Sequence, residues 1–157
     1  MEEIIAPLAE ATNETQPSAG SDSTSVDPIT ELINRRTGSF DVKINYQDLK
    51  YIKNSVNQKV EWKGPNEAYL VIMAVLTIDN ILQDMDQKEM TPTLVKIPAT
   101  TIESLNFFLG RMTGKGIESA QRLFSISMTF RQAMESIRKI DEELEALKSA
   151  QQTEKTA

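Results

Sequence analysis

The segment with the most suggestive chemistry is Gly110-Arg111-Met112-Thr113-Gly114-Lys115-Gly116, a glycine-rich loop with two cations. A phosphate loop of the Walker type needs four residues between its glycines and a Ser or Thr after its lysine. The backbone amides then cradle the phosphates and the hydroxyl reaches the magnesium ion. Here three residues separate Gly110 from Gly114, and a glycine follows Lys115. A helix, rather than a strand, is also predicted ahead of the loop. Nucleotide hydrolysis is excluded on both grounds. A simpler role survives, in which amides at a helix start near Ile117 hold a small anion. Arg111, Lys115, Arg122 and Lys63 are its candidate residues. A plain glycine-containing helix connection explains the same residues without a ligand.

A second cluster places Lys43, Lys50, Lys53, Lys59 and Lys63 among Tyr46, Tyr51 and Trp62. Rings among lysines suit single-stranded nucleic acid, with bases stacked and phosphates neutralised. Asp41, Asp48 and Glu61 cut the net charge of that stretch to +2. A solvated face with amphipathic rings at its edge accounts for it as well. Trp62 is also a candidate interface anchor, since tryptophan is enriched where binding energy concentrates. The densest acidic run of the body, Asp79, Asp84, Asp86 and Glu89, lacks the glycine and closing glutamate of a calcium loop. It reads as the polar end of a helix. The chain contains neither Cys nor His, so disulfides, thiolate chemistry, zinc sites and His-dependent triads are ruled out. No catalytic residue, metal site or cofactor is expected.

The elements that would carry these residues follow from charge and periodicity. The 157 residues hold 17 Lys+Arg and 23 Asp+Glu, for a net charge of −6. Seven acids against two arginines precede Gly38, so this first quarter carries −5 of that total. Residues 1–27, rich in Ala, Ser, Thr, Glu and Pro, are predicted to be a disordered acidic tail. Ile4, Ile5 and Leu8 at its start form a candidate docking peptide. Asp27-Pro28 then opens a short helix and linker over 28–38. The longest apolar run, 68–76, is far below the roughly 20 residues that cross a bilayer. A secretory leader is not expected, since no basic start precedes an apolar stretch. The expected location is cytoplasmic, or within a particle for a viral structural component.

Residues 39–149 contain an internal repeat. Val42-Lys43-Ile44 recurs as Val95-Lys96-Ile97, 53 positions later, and Leu49, Ile52 and Val56 then match Ile102, Leu105 and Leu109. Beyond the loops the offset is 52, pairing Lys63-Gly64 with Lys115-Gly116, Ile72 with Phe124, Leu76 with Met128 and Ile78 with Phe130. Each unit, about 40–88 and 93–137, reads as strand, helix, polar loop, long helix. The predicted helices cover about 46–56, 65–88, 101–109 and 117–149. Thr100-x-x-Glu103 is read as a capping box, and Asn57 and Gly110 as left-handed helix ends. Residues 68–76, apolar nearly all round, predict a helix surrounded by other elements. The fold class is mainly α: four helices from two pseudo-repeated units, with the two VKI segments paired as a small antiparallel ribbon.

The last helix outlasts its repeat partner. In the extension over 133–149, Ala133, Ile137, Ile140, Leu144 and Leu147 alternate by four and three, a heptad seam with charges between. A helix over 117–149 spans about 50 Å, more than a domain of this size covers. Ile137, Ile140, Leu144 and Leu147 are therefore the expected contact with a second copy or another subunit, and 150–157 is expected to be disordered. The function expected is a non-catalytic interaction protein that self-associates or builds a larger assembly, a viral or phage component being one version. The alternatives are a nucleic-acid-associated regulator using 43–63, and a helical module for a small anion.

Overall fold

The computed structural model describes residues 26–156. The acidic segment 1–25, with Ile4, Ile5 and Leu8, lies outside them. Helix α1, Pro28–Arg36, comes first. Its amide ends are served by the Asp27 carboxylate, which accepts from the Thr30 N–H at 3.2 Å. Strand β1 (Ser39–Ile44), helix α2 (Tyr46–Lys59) and helix α3 (Gly64–Gln83) form the first unit. Strand β2 (Thr93–Pro98), helix α4 (Ala99–Leu109) and helix α5 (Ile117–Thr156) form the second. The expected mainly helical architecture with one small antiparallel ribbon is the observed one.

The ribbon explains why the repeat makes a single body. Val42 pairs with Val95, and the register runs from Ser39↔Pro98 to Ile44↔Thr93. An antiparallel pair has a local twofold axis at each facing pair of residues. Because Val42 faces its own repeat equivalent, that axis carries every residue of β1 onto the position 53 later. The loops repeat the pattern. Gly64 (φ 74°) and Gly116 (φ 88°) are the described residues with left-handed backbone, and both sit in the Lys-Gly pair that opens a long helix. Between the units lies one core, in which Leu49, Ile52, Ile78, Ile97, Ile102, Leu105, Phe108 and Phe130 are fully buried. The repeat equivalents Ile78 and Phe130 both lie in it.

Several local expectations are corrected. The first long helix stops at Gln83, not near 88. The Asp86 carboxylate takes the Lys88 amide at 2.9 Å and Glu89 takes that of Thr91, turning the chain toward β2. The Thr100–Glu103 box does not form: α4 begins directly after Pro98, and the Ala99 N–H bonds the Gly38 carbonyl at 3.0 Å. Gly110 closes α4 in right-handed geometry, and Asn57 lies inside α2. The 150–157 segment is helical through Thr156, so α5 is about 60 Å long.

Two corrections bear on function. The heptad seam is covered from within the chain. Ile137 belongs to the main core, while Ile140 and Leu144 (3 and 7 % exposed) close over Leu32 of α1 in a second cluster. Ile29, Phe40 and Leu147 pack around it. Arg36 fastens this cover, giving Glu103 two hydrogen bonds at 2.9 and 3.1 Å and Asp141 one at 2.7 Å. The two carboxylates hold its guanidinium still more firmly charged than usual. Helix α3, by contrast, is not surrounded. Ala74, Ile78 and Leu82 enter the core, and the opposite side is open.

Candidate interaction surface

On a helix each residue turns about 100° from the last, so 69, 72, 73 and 76 share one side. In α3 these are Tyr69, Ile72, Met73 and Leu76, exposed by 60, 55, 42 and 52 %. No described residue covers them. No charged residue occurs between Glu67 and Asp79, and the side from Tyr69 to Leu76 is free of charge for about two turns. The second unit carries the equivalent. Ile117, Phe124 and Met128 lie along the outer side of α5, with Ile117 73 % and Phe124 64 % exposed. Ile126 and Phe130 of the same helix point into the core. Phe124 and Met128 are the repeat equivalents of Ile72 and Leu76. Both units thus present an outward apolar stripe at the same place. Exposed apolar groups gathered in one stripe, rather than scattered singly, mark interaction sites.

The residues singled out for anion binding are not brought together. Arg111 donates to Glu67 at 3.0 Å and stacks over Phe107, 5.0 Å from its centroid. Arg122 donates to Asp48 at 3.2 Å and stacks over Tyr51 at 4.4 Å. Lys63 sits in the other Lys-Gly loop. Of these four, Lys115 alone lines the cavity of about 280 Å³ between the 110–116 loop and α2, where Lys59, Ser55 and Ser119 join it. Of the Lys–aromatic stretch, Lys53 is tied to Asp79 at 2.7 Å, and Lys50 and Lys59 lie over the rings of Tyr46 and Tyr51 at 5.9 Å. Tyr46 and Tyr51 are half-buried, and Trp62 stands exposed in the α2–α3 loop. Among the described residues, no cluster of three or more acids offers a metal site, and no helix is long and apolar enough to cross a membrane.

Glu67 links the start of α3 to the end of α4. The Lys63 amide donates to it at 2.7 Å, and that bond, seconded by Arg111, holds its carboxyl below the ordinary value of 4.5. A depressed carboxyl contributes its stabilisation in full above its unfolded pKa and loses it as pH falls through the folded one. Acidification below 4.5 is therefore expected to release the Lys63 amide and Arg111 together. NMR titration of both signals checks this: Glu67→Gln should abolish the shared inflection, and separate inflections in the wild-type chain would refute the linkage.

Sequence reasoning missed the stripes for an identifiable reason. The run 68–76 was legible as apolar on all sides, but which side the rest of the chain would fill depends on where α2 and α4 pack. The equivalence of Ile72 with Phe124 and of Leu76 with Met128 was the available signal. The chain matches no protein-family model, no curated protein and no solved structure.

Proposed function

We propose that the protein is a non-catalytic helical subunit that self-associates, and that its contact surface is the outward stripes of α3 and α5. The observation that carries this reading is the uncharged side of α3 at Tyr69, Ile72, Met73 and Leu76. A helix apolar on every side is stable when every side is covered, and the described residues leave the Tyr69–Leu76 side open. Of the heptad seam expected to serve this purpose, Ile137 lies in the main core, and Ile140, Leu144 and Leu147 pack with α1. Support for a nucleic-acid role is thinner, because the Tyr46 and Tyr51 rings carry the chain's own cations.

Absolute mass by light scattering on the full chain, at several concentrations and physiological salt, tests the reading. A mass that is a multiple of 17.6 kDa and survives added salt is the expected result. A monomer at every concentration would refute self-association.

A further inference from the structure

The two stripes do more than repeat one another, because their surroundings differ in charge. From Gly64 to Gln87 there is no Lys or Arg, and the acids are Glu67, Asp79, Asp84 and Asp86. Glu67 and Asp79 are paired inside the chain; Asp84 and Asp86 have no cationic partner among the described residues. Around the α5 stripe, Arg111 and Arg122 are paired internally, and Lys115 and Arg131 have no carboxylate partner among the described residues; the acids near them are Glu118 and Glu135, the latter paired with Arg138. The unpaired charges within α3 and its C-terminal end, between Lys63 and Lys88, are thus acidic, and the unpaired cations Lys115 and Arg131 give the α5 stripe a more basic border. Like charges facing each other across an interface oppose binding, and opposite ones select the partner.

From this we infer that the α3 stripe of one copy docks on the α5 stripe of the next, a head-to-tail contact between unlike surfaces. The inference rests on the self-association reading above. The spacing along the two helices supports an antiparallel match. With Leu76 set opposite Phe124, Asp84 falls level with Gly116, beside Lys115. Eight residues separate each pair of positions, about 12 Å. In the other direction Tyr69 falls level with Arg131, placing a guanidinium within reach of a ring. An α3–α3 or α5–α5 contact would instead bring two acidic or two basic borders together. Each copy has one stripe of each kind, so both can be occupied at once. A contact of this type closes into a ring, of which a reciprocal twofold dimer is the smallest, or runs on as a filament.

Two outward double substitutions test the polarity of the contact: Ile72→Glu with Leu76→Glu, and Phe124→Glu with Met128→Glu. Neither touches the core, and unchanged helicity by circular dichroism verifies the fold of each. The wild-type chain is expected to reach at least the dimer mass in light scattering. Each variant alone is expected to fall to the monomer, since it lacks one of the two unlike surfaces. An equimolar mixture should recover a dimer and nothing larger, because one intact α3 stripe and one intact α5 stripe remain. A variant that dimerises alone would overturn the head-to-tail contact and leave self-association standing. An oligomer that survives both double substitutions combined would overturn it too, and place the interface elsewhere. A monomeric wild-type chain would remove both readings, and its retention on phosphatidylcholine vesicles would assign the stripes to a lipid surface.

Discussion

Phe130→Ala is expected to destabilise the chain by about 3–5 kcal/mol, whereas Phe124→Ala, six residues earlier on the same helix, should change stability by less than about 0.5 kcal/mol. Phe130 is fully buried, in one cluster with Ile78, its counterpart in the other unit. Truncating it removes the transfer free energy of the ring and leaves a cavity that packed neighbours on both units cannot fill. Domains of this kind are stable by only about 5–15 kcal/mol, so a third or more of the total is at stake. Phe124 is 64 % exposed and has no comparable contacts to lose within one copy. Urea midpoints measured on dilute, monomeric protein compare the two directly. A loss below about 1 kcal/mol at Phe130 would mean that the two units do not share a core. A large loss at Phe124 would mean that the α5 stripe is covered after all.

This contrast shows what the residue pattern conveyed. The repeat offset alone placed Ile78 and Phe130 in equivalent positions, and the VKI pair foretold an antiparallel ribbon, whose axis the structure sets between Val42 and Val95. Both follow from local periodicity and composition. The cover over the heptad seam did not, because Leu32 and Leu144 are more than a hundred residues apart. No local pattern states that a nine-residue helix, rather than a second chain, will fill a groove. Glu103 illustrates the same limit. Its spacing from Thr100 suits a capping box, but the strand feeds α4 without a break and Glu103 turns to Arg36, on a helix that the spacing does not mention. For the candidate site the lesson is similar. The composition of α3 was plain, while its exposure depends on the arrangement of neighbours around it.

The cover itself supplies the second large effect. Leu32 is the one fully covered apolar side chain of α1, and Arg36 is its polar anchor. Leu32→Ala should weaken the docking of α1 by about 2–3 kcal/mol, the low end for a small cluster that can partly collapse. Arg36→Ala should add about 1 kcal/mol, because its pairs with Glu103 and Asp141 are partly solvated and screened. Together they approach what a helix of nine residues gains by packing, and a helix that short does not persist alone in water. The double variant is therefore expected to release α1 while the main core stays folded. Hydrogen exchange distinguishes local from global opening: protection of the α1 amides should fall at least tenfold while those of β1 and α2 keep theirs. Equal loss everywhere would make α1 part of a single cooperative unit, and no loss would show that Leu32 and Arg36 do not hold it. Release would also bare Ile140, Leu144 and Leu147, a seam of only two heptads, whose self-pairing is marginal by itself. The chain is thus expected to keep α1 closed and to meet its copies through the stripes, where no described segment competes for the surface.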